Sequence, residues 1–176
     1  LVATSVIEVR DFQSEDFLGS LTNIDSLKLD RYTALKEMFY GNIVGTHPGG
    51  KLYKKEILLK FPFPEGMIYE DLAVSFEHIG ACNEIAVGCI NLYKYYRRPG
   101  SIVNSSYSDK FLDFYKAIEM NREFVQRDYP NDKEMRRALN VRYVFNGLHV
   151  VHAMLSSEMY SDVNKIRKEY TRYFND

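Results

Sequence analysis

Two rhythms of apolar residues run along this chain, one of period two and one of period three to four. Residues 2–9 are rich in β-branched side chains and predict a first strand, while residues 11–26 are polar, with Gly, Ser, Thr and Asn, and predict an irregular connection. Between Asp30 and Tyr40, Tyr32, Leu35 and Phe39 share one helical face, and Gly41 ends that helix. In GNIVGTHPGGKLYKKEILLKFPFPEGMIYED, glycines and Pro48 break the chain before KLYKKEIL. Pro62 and Pro64 then force an extended path, which predicts a wall or loop rather than a helix. From Glu70 onward, Leu72, Phe76 and Ile79 recur near helical spacing, and the acidic pair Glu70 and Asp71 suits the first turn of a helix. Ile85, Val87 and Cys89 alternate and run into LYKYY, predicting a further strand.

The last third is read as helical throughout. Ser108 and Asp109 can cap a helix reaching Asp128, with a buried stripe of Phe111, Tyr115, Ile118 and Val125, and Pro130 stops it. Asn131 or Asp132 can cap the next, where Ala138, Val141, Phe145, Leu148, His152 and Leu155 form a stripe at about heptad spacing. A last helix over residues 162–174 would place Val163, Ile166, Tyr170 and Tyr173 on one side. The pattern as a whole predicts an α/β fold: strands and helices in residues 1–106, then a three-helix tail in residues 107–176.

Composition narrows the function classes. The chain has 176 residues, 45% hydrophobic and 27% charged, enough for a core of its own. Its 23 basic residues against 24 acidic give a formal net charge of -1, which argues against a nucleic-acid partner. Cys82 and Cys89 form no CxxC pair and sit among apolar neighbours, favouring buried thiols in a reducing compartment, with the cytosol as the default. No apolar run approaches membrane-spanning length, and the opening LVATSVIEVR lacks the features of a signal peptide. A strand at the very first residues suggests a chain cut from something longer.

By spacing alone, Glu70 and Asp71 are better read as helix-start acids than as catalytic groups. His149 and His152, three apart on a helix, lack carboxylate or Cys companions, so a packed or surface pair is the better reading than a metal site. Fourteen tyrosines are compatible with stacking on sugars, although aromatics at these spacings are more often core and there is no Trp.

Three phrases change the reading of Glu70 and Asp71. Lys51, Leu52, Tyr53 and Lys54 form the first; Phe63, Glu65, Gly66, Tyr69, Glu70 and Asp71 the second; Leu92, Tyr93, Tyr95, Arg98, Gly100, Ser101 and Ile102 the third. In this order and spacing they resemble the second half of family 2 inverting glycosyltransferases of the GT-A fold, the bacterial enzymes of capsule, exopolysaccharide and lipopolysaccharide assembly. The resemblance spans roughly residues 50–102 and departs from the family at Gly50 and Asn91, where Asn and Pro are usual.

The resemblance implies that Asp71 is the general base, taking a proton from an acceptor hydroxyl as that oxygen attacks the anomeric carbon of a nucleotide sugar. It implies that Glu70 shapes the acceptor pocket or orients its neighbour. Arg98 falls where the family has an Arg near the donor diphosphate, although a surface Arg before a Pro-Gly turn fits the residues nearly as well. Lys51 would face donor or acceptor, against the plainer reading of a solvated lysine.

The family also implies a divalent Mn or Mg ion held by a DxD motif, and this chain contains no DxD. The expectation is therefore the acceptor-side half of a sugar transferase, weak or inactive alone. Its parent would use a nucleotide sugar, UDP-linked by expectation, and a glycan or lipid-linked acceptor, in the cytoplasm or at the inner face of the membrane. An uncovered sheet edge would favour self-association. The rival reading is a non-catalytic module that binds a glycan or a protein.

Overall fold

The structure, a computed structural model, describes residues 2–9, 26–96, 107–156, 164 and 167–168. It is a mixed α/β fold in which helices cover a four-stranded sheet. In chain order the elements are β1 (Val2–Val9), β2 (Ser26–Asp30), α1 (Arg31–Tyr40), β3 (Lys51–Leu52), α2 (Lys55–Lys60), α3 (Ser75–Gly80), β4 (Glu84–Tyr96), a 3-10 turn (Asp109–Leu112), α4 (Asp113–Asp128) and α5 (Lys133–Ser156). The strand order is β2-β4-β1-β3. β4 runs parallel to β1 and antiparallel to β2, and β3 adds a short antiparallel edge to β1. The β1–β4 register slips between Thr4 and Val6, so the long strand carries an irregularity before its tyrosine-rich end.

Local chemistry explains the boundaries of α1. Asp30 is its N-cap, its carboxylate accepting from the Thr33 backbone N–H and the Thr33 hydroxyl, both at 2.9 Å. Gly41, at φ 75°, closes the helix in the left-handed conformation that a residue without Cβ adopts at no cost. Asp132 caps α5 in the same way, accepting from the Met135 N–H at 2.9 Å.

Four sequence expectations need correction. β2 was not expected: Ser26 falls at the end of the connection read as irregular, and residues 27–29 were assigned to no element. The segment KEILLK, expected to be loop, forms the short helix α2, with Glu56 in its first turn and Lys60 in its last before Pro62 ends it. The helix expected from Glu70 begins regularly only at Ser75; residues 70–74 are turns, joined to α3 by the Ser75 N–H bond to the Asp71 carbonyl at 2.9 Å. In α5, Ala138 is buried as expected, but Val141, Phe145, Leu148 and Leu155 are exposed, and Met135, Leu139, Tyr143, Val150 and Met154 are buried instead. The stripe expected on α4 holds, with Phe111, Tyr115, Ile118 and Val125 all buried. The last predicted helix lies outside the described residues except for Asn164, Arg167 and Lys168, which are helical and exposed.

The core is continuous across residue 107. Leu35, Met38 and Phe39 from α1, Leu72, Phe76 and Ile79 around α3, Ile85 and Val87 from β4, and Phe114, Ile118 and Phe124 from α4 bury together. Each such side chain contributes about 1.5–3 kcal/mol through burial. Buried side chains of α4 and α5 therefore belong to the same core as those of α1, α3 and β4.

Candidate functional site

The acidic turn is clamped from two sides by α4. Buried Asp113 accepts from the Ile68 N–H at 3.3 Å while pairing with Lys116 at 2.7 Å. Fully buried Asn121 donates from its amide nitrogen to the Leu72 carbonyl at 2.9 Å. Between these two anchors Tyr69 takes φ 64°, a left-handed conformation costly for a bulky side chain, while its ring packs edge-on against Phe114. A strained residue over-determined by its surroundings fixes the direction of the two residues after it. Glu70 is consequently exposed and Asp71 half-buried.

The Asp71 carboxylate has two named partners. Its Oδ1 accepts from the Leu72 N–H at 2.7 Å, and its Oδ2 accepts from the Thr46 hydroxyl at 2.9 Å. Thr46 belongs to the glycine-rich loop after α1, and that loop is itself tied down. The Ser75 hydroxyl donates to the Thr46 carbonyl at 2.7 Å, and the Lys51 ammonium donates to the carbonyls of Gly45 and, at 2.6 Å, His47. Gly49 lies on the ring of Tyr93, where an added Cβ would come within 2.6 Å of the ring carbons. The glycine-rich loop is thus touched by one residue from each of the three phrases: Lys51 at Gly45 and His47, Asp71 at Thr46 and Tyr93 at Gly49.

Charges around Asp71 are largely dehydrated. Burial pulls the Lys51 ammonium down to about 8 despite the opposing attraction of Asp71. Burial and then the Lys51 charge lower His47, whose Nε2 is buried without a hydrogen-bond partner. Burial, followed by repulsion from Asp71, pushes the phenols of Tyr53 and Tyr69 up to about 12. Arg142, from α5, donates to the Met38 carbonyl at the end of α1, and burial lowers it against the pull of Asp71.

Of the residues singled out from sequence, Asp71, Glu70 and Lys51 come together here, and Arg98 lies outside the described residues. Lys51 commits its ammonium to two backbone carbonyls of its own loop, so its observed task is to hold that loop. Thr46, His47, Tyr53 and Arg142 were not anticipated. Thr46 and His47 sit in a stretch legible only as a breaker, and Arg142 is brought in by packing from far along the chain. His149 and His152 are both exposed on α5.

Among the described residues no group of three or more His, Cys, Asp or Glu side chains is placed to hold a metal ion. No helix among them is long and apolar enough to cross a membrane. Comparisons with protein-family models, with curated proteins and with solved structures found no match.

Proposed function

We propose that this chain is the acceptor side of an inverting glycosyltransferase, with Asp71 as its general base. The observation that carries the reading is the Asp71 carboxylate, half-buried, held by one backbone N–H and one hydroxyl, with Lys51 and Tyr53 of the first resembling phrase and Tyr69 of the second within reach of its charge. A carboxylate so held keeps lone pairs for an incoming proton, and its orientation does not depend on solvent. The acceptor hydroxyl would give its proton to Asp71 as its oxygen forms the bond to the anomeric carbon and the nucleoside diphosphate departs.

Glu70, exposed beside it, would meet the acceptor's other hydroxyls. The nucleotide and its cation would be bound by a donor-binding half carrying the DxD motif that this sequence lacks, with Arg98 near the diphosphate. The reading extends to surface-polysaccharide synthesis only through the sequence resemblance.

Asp71→Asn in the polypeptide that joins this chain to a donor half tests the proposal. Loss of the base should lower kcat by roughly 10²–10⁴-fold with little change in donor KM. Turnover that survives the substitution would sink the reading and leave a glycan- or protein-binding module as the alternative.

A further inference from the structure

Helix α5 is apolar on two sides. Its inner side buries Met135, Ala138, Tyr143, Val150 and Met154, whereas its outer side leaves Phe145 69% and Leu148 60% exposed, with Val141 and Val144 beside them. A helix covered on one side only is expected to be polar on the other, so this outer face calls for an occupant.

These residues form one wall of an open groove of about 1190 Å³ between the end of α4 and the first two-thirds of α5. The charged residues lining it are Arg122, Lys133, Arg136 and Arg137, with no acidic side chain among them. Between Glu134 and Glu158 the chain has no acidic residue at all, although its overall net charge is -1. The sign of this face is therefore local.

We propose that this face docks on an anionic lipid surface, with Val144, Phe145 and Leu148 entering the acyl boundary and Lys133, Arg136 and Arg137 meeting phosphate headgroups. A second copy of the chain suits the face less well, because a two-fold interface brings like patches together and would set these cations against their own equivalents. The exposed apolar row also continues to Leu155, beyond the groove, which fits an extended surface better than a bounded ligand. The inference rests on this face alone and holds whether or not Asp71 is a base.

Co-sedimentation of the full chain with vesicles tests it, using neutral phosphatidylcholine and phosphatidylcholine mixed with anionic phosphatidylglycerol. The protein should bind the mixed vesicles, less so as salt rises. Arg136→Gln with Arg137→Gln should lower partitioning roughly thirtyfold, the loss implied by about 1 kcal/mol for each surface cation. Phe145→Ser with Leu148→Ser should abolish binding while leaving the thermal melt in place, since both side chains are already exposed.

A folded protein that ignores the mixed vesicles, binds both kinds alike, or binds equally well after either pair of substitutions would overturn the proposal. So would a lipid-free dimer that Phe145→Ser with Leu148→Ser disperses, because the occupant would then be a second copy.

Discussion

At Lys51, burial and charge pull in opposite directions, and burial wins. The ammonium titrates at about 8 in the folded chain against an ordinary 10.5. Below about pH 8 both folded and unfolded states hold the proton, and the cost of burying the charge stands in full. Between about 8 and 10.5 the unfolded chain retains a proton that the folded chain has released, so stability rises with pH across that window. One proton bounds the slope at about 1.4 kcal/mol per pH unit. Tyr53 and Tyr69 act in the opposite sense, since phenols pushed up to about 12 keep protons that the unfolded chain loses near 10, and stability falls as pH rises beyond that point. Urea midpoints measured across alkaline pH should therefore rise from about 8 and decline above 10. Lys51→Met should flatten the rise, and Tyr53→Phe with Tyr69→Phe should soften the decline. If Lys51→Met leaves the slope between 8 and 10 unchanged, the ammonium is hydrated and does not clamp the loop as described. Only the change in slope is diagnostic, because losing the bonds to Gly45 and His47 lowers stability at every pH.

Elements were legible wherever a cap and a one-sided apolar stripe agreed. α1 has Asp30 before it and Gly41 after it, and α4 carries Phe111, Tyr115, Ile118 and Val125 at spacings that any helix would bury together. β2 was hidden because its alternation is only Leu27-Lys28-Leu29, and Leu27 is itself exposed. α5 misled for a different reason: with apolar residues on both sides, periodicity identifies a stripe but not which stripe the core covers. The acidic turn before α3 was hidden because its geometry comes from Asp113 and Asn121, contributed by a helix 45 and 49 residues further on.

Asp71 was singled out only through the phrases around it, whereas its partner Thr46, 25 residues earlier, carried no local signal. The cap of α5 offers a clean test at this scale. Asp132→Ala should cost about 1 kcal/mol, read as a lower urea midpoint with an unchanged denaturant slope. No shift in the midpoint would mean that the Met135 N–H finds water as good a partner as the carboxylate.

The described residues combine one continuous core with a sheet whose edge is only partly covered. β3 pairs with β1 at Val2 and Ala3 alone, and β4 occupies the other edge, so among the described residues the backbone of β1 from Thr4 to Val9 has a neighbour on one side only. Unpaired strand groups are satisfied by water at low concentration and by another strand when one is near. In a longer enzyme the donor half would be the natural cover for this edge. In the isolated chain the expected cover is a second copy, so sedimentation velocity should show a dimer growing with concentration, insensitive to Phe145→Ser with Leu148→Ser on the far helix. Amide exchange would locate the contact. Within residues 4–9, amides bonded to β4 should exchange slowly at every concentration, and those facing away should become protected only as the dimer forms. A chain that stays monomeric throughout while every amide of residues 4–9 exchanges slowly would show that the edge is already covered within one molecule, and the case for pairing between copies would fall.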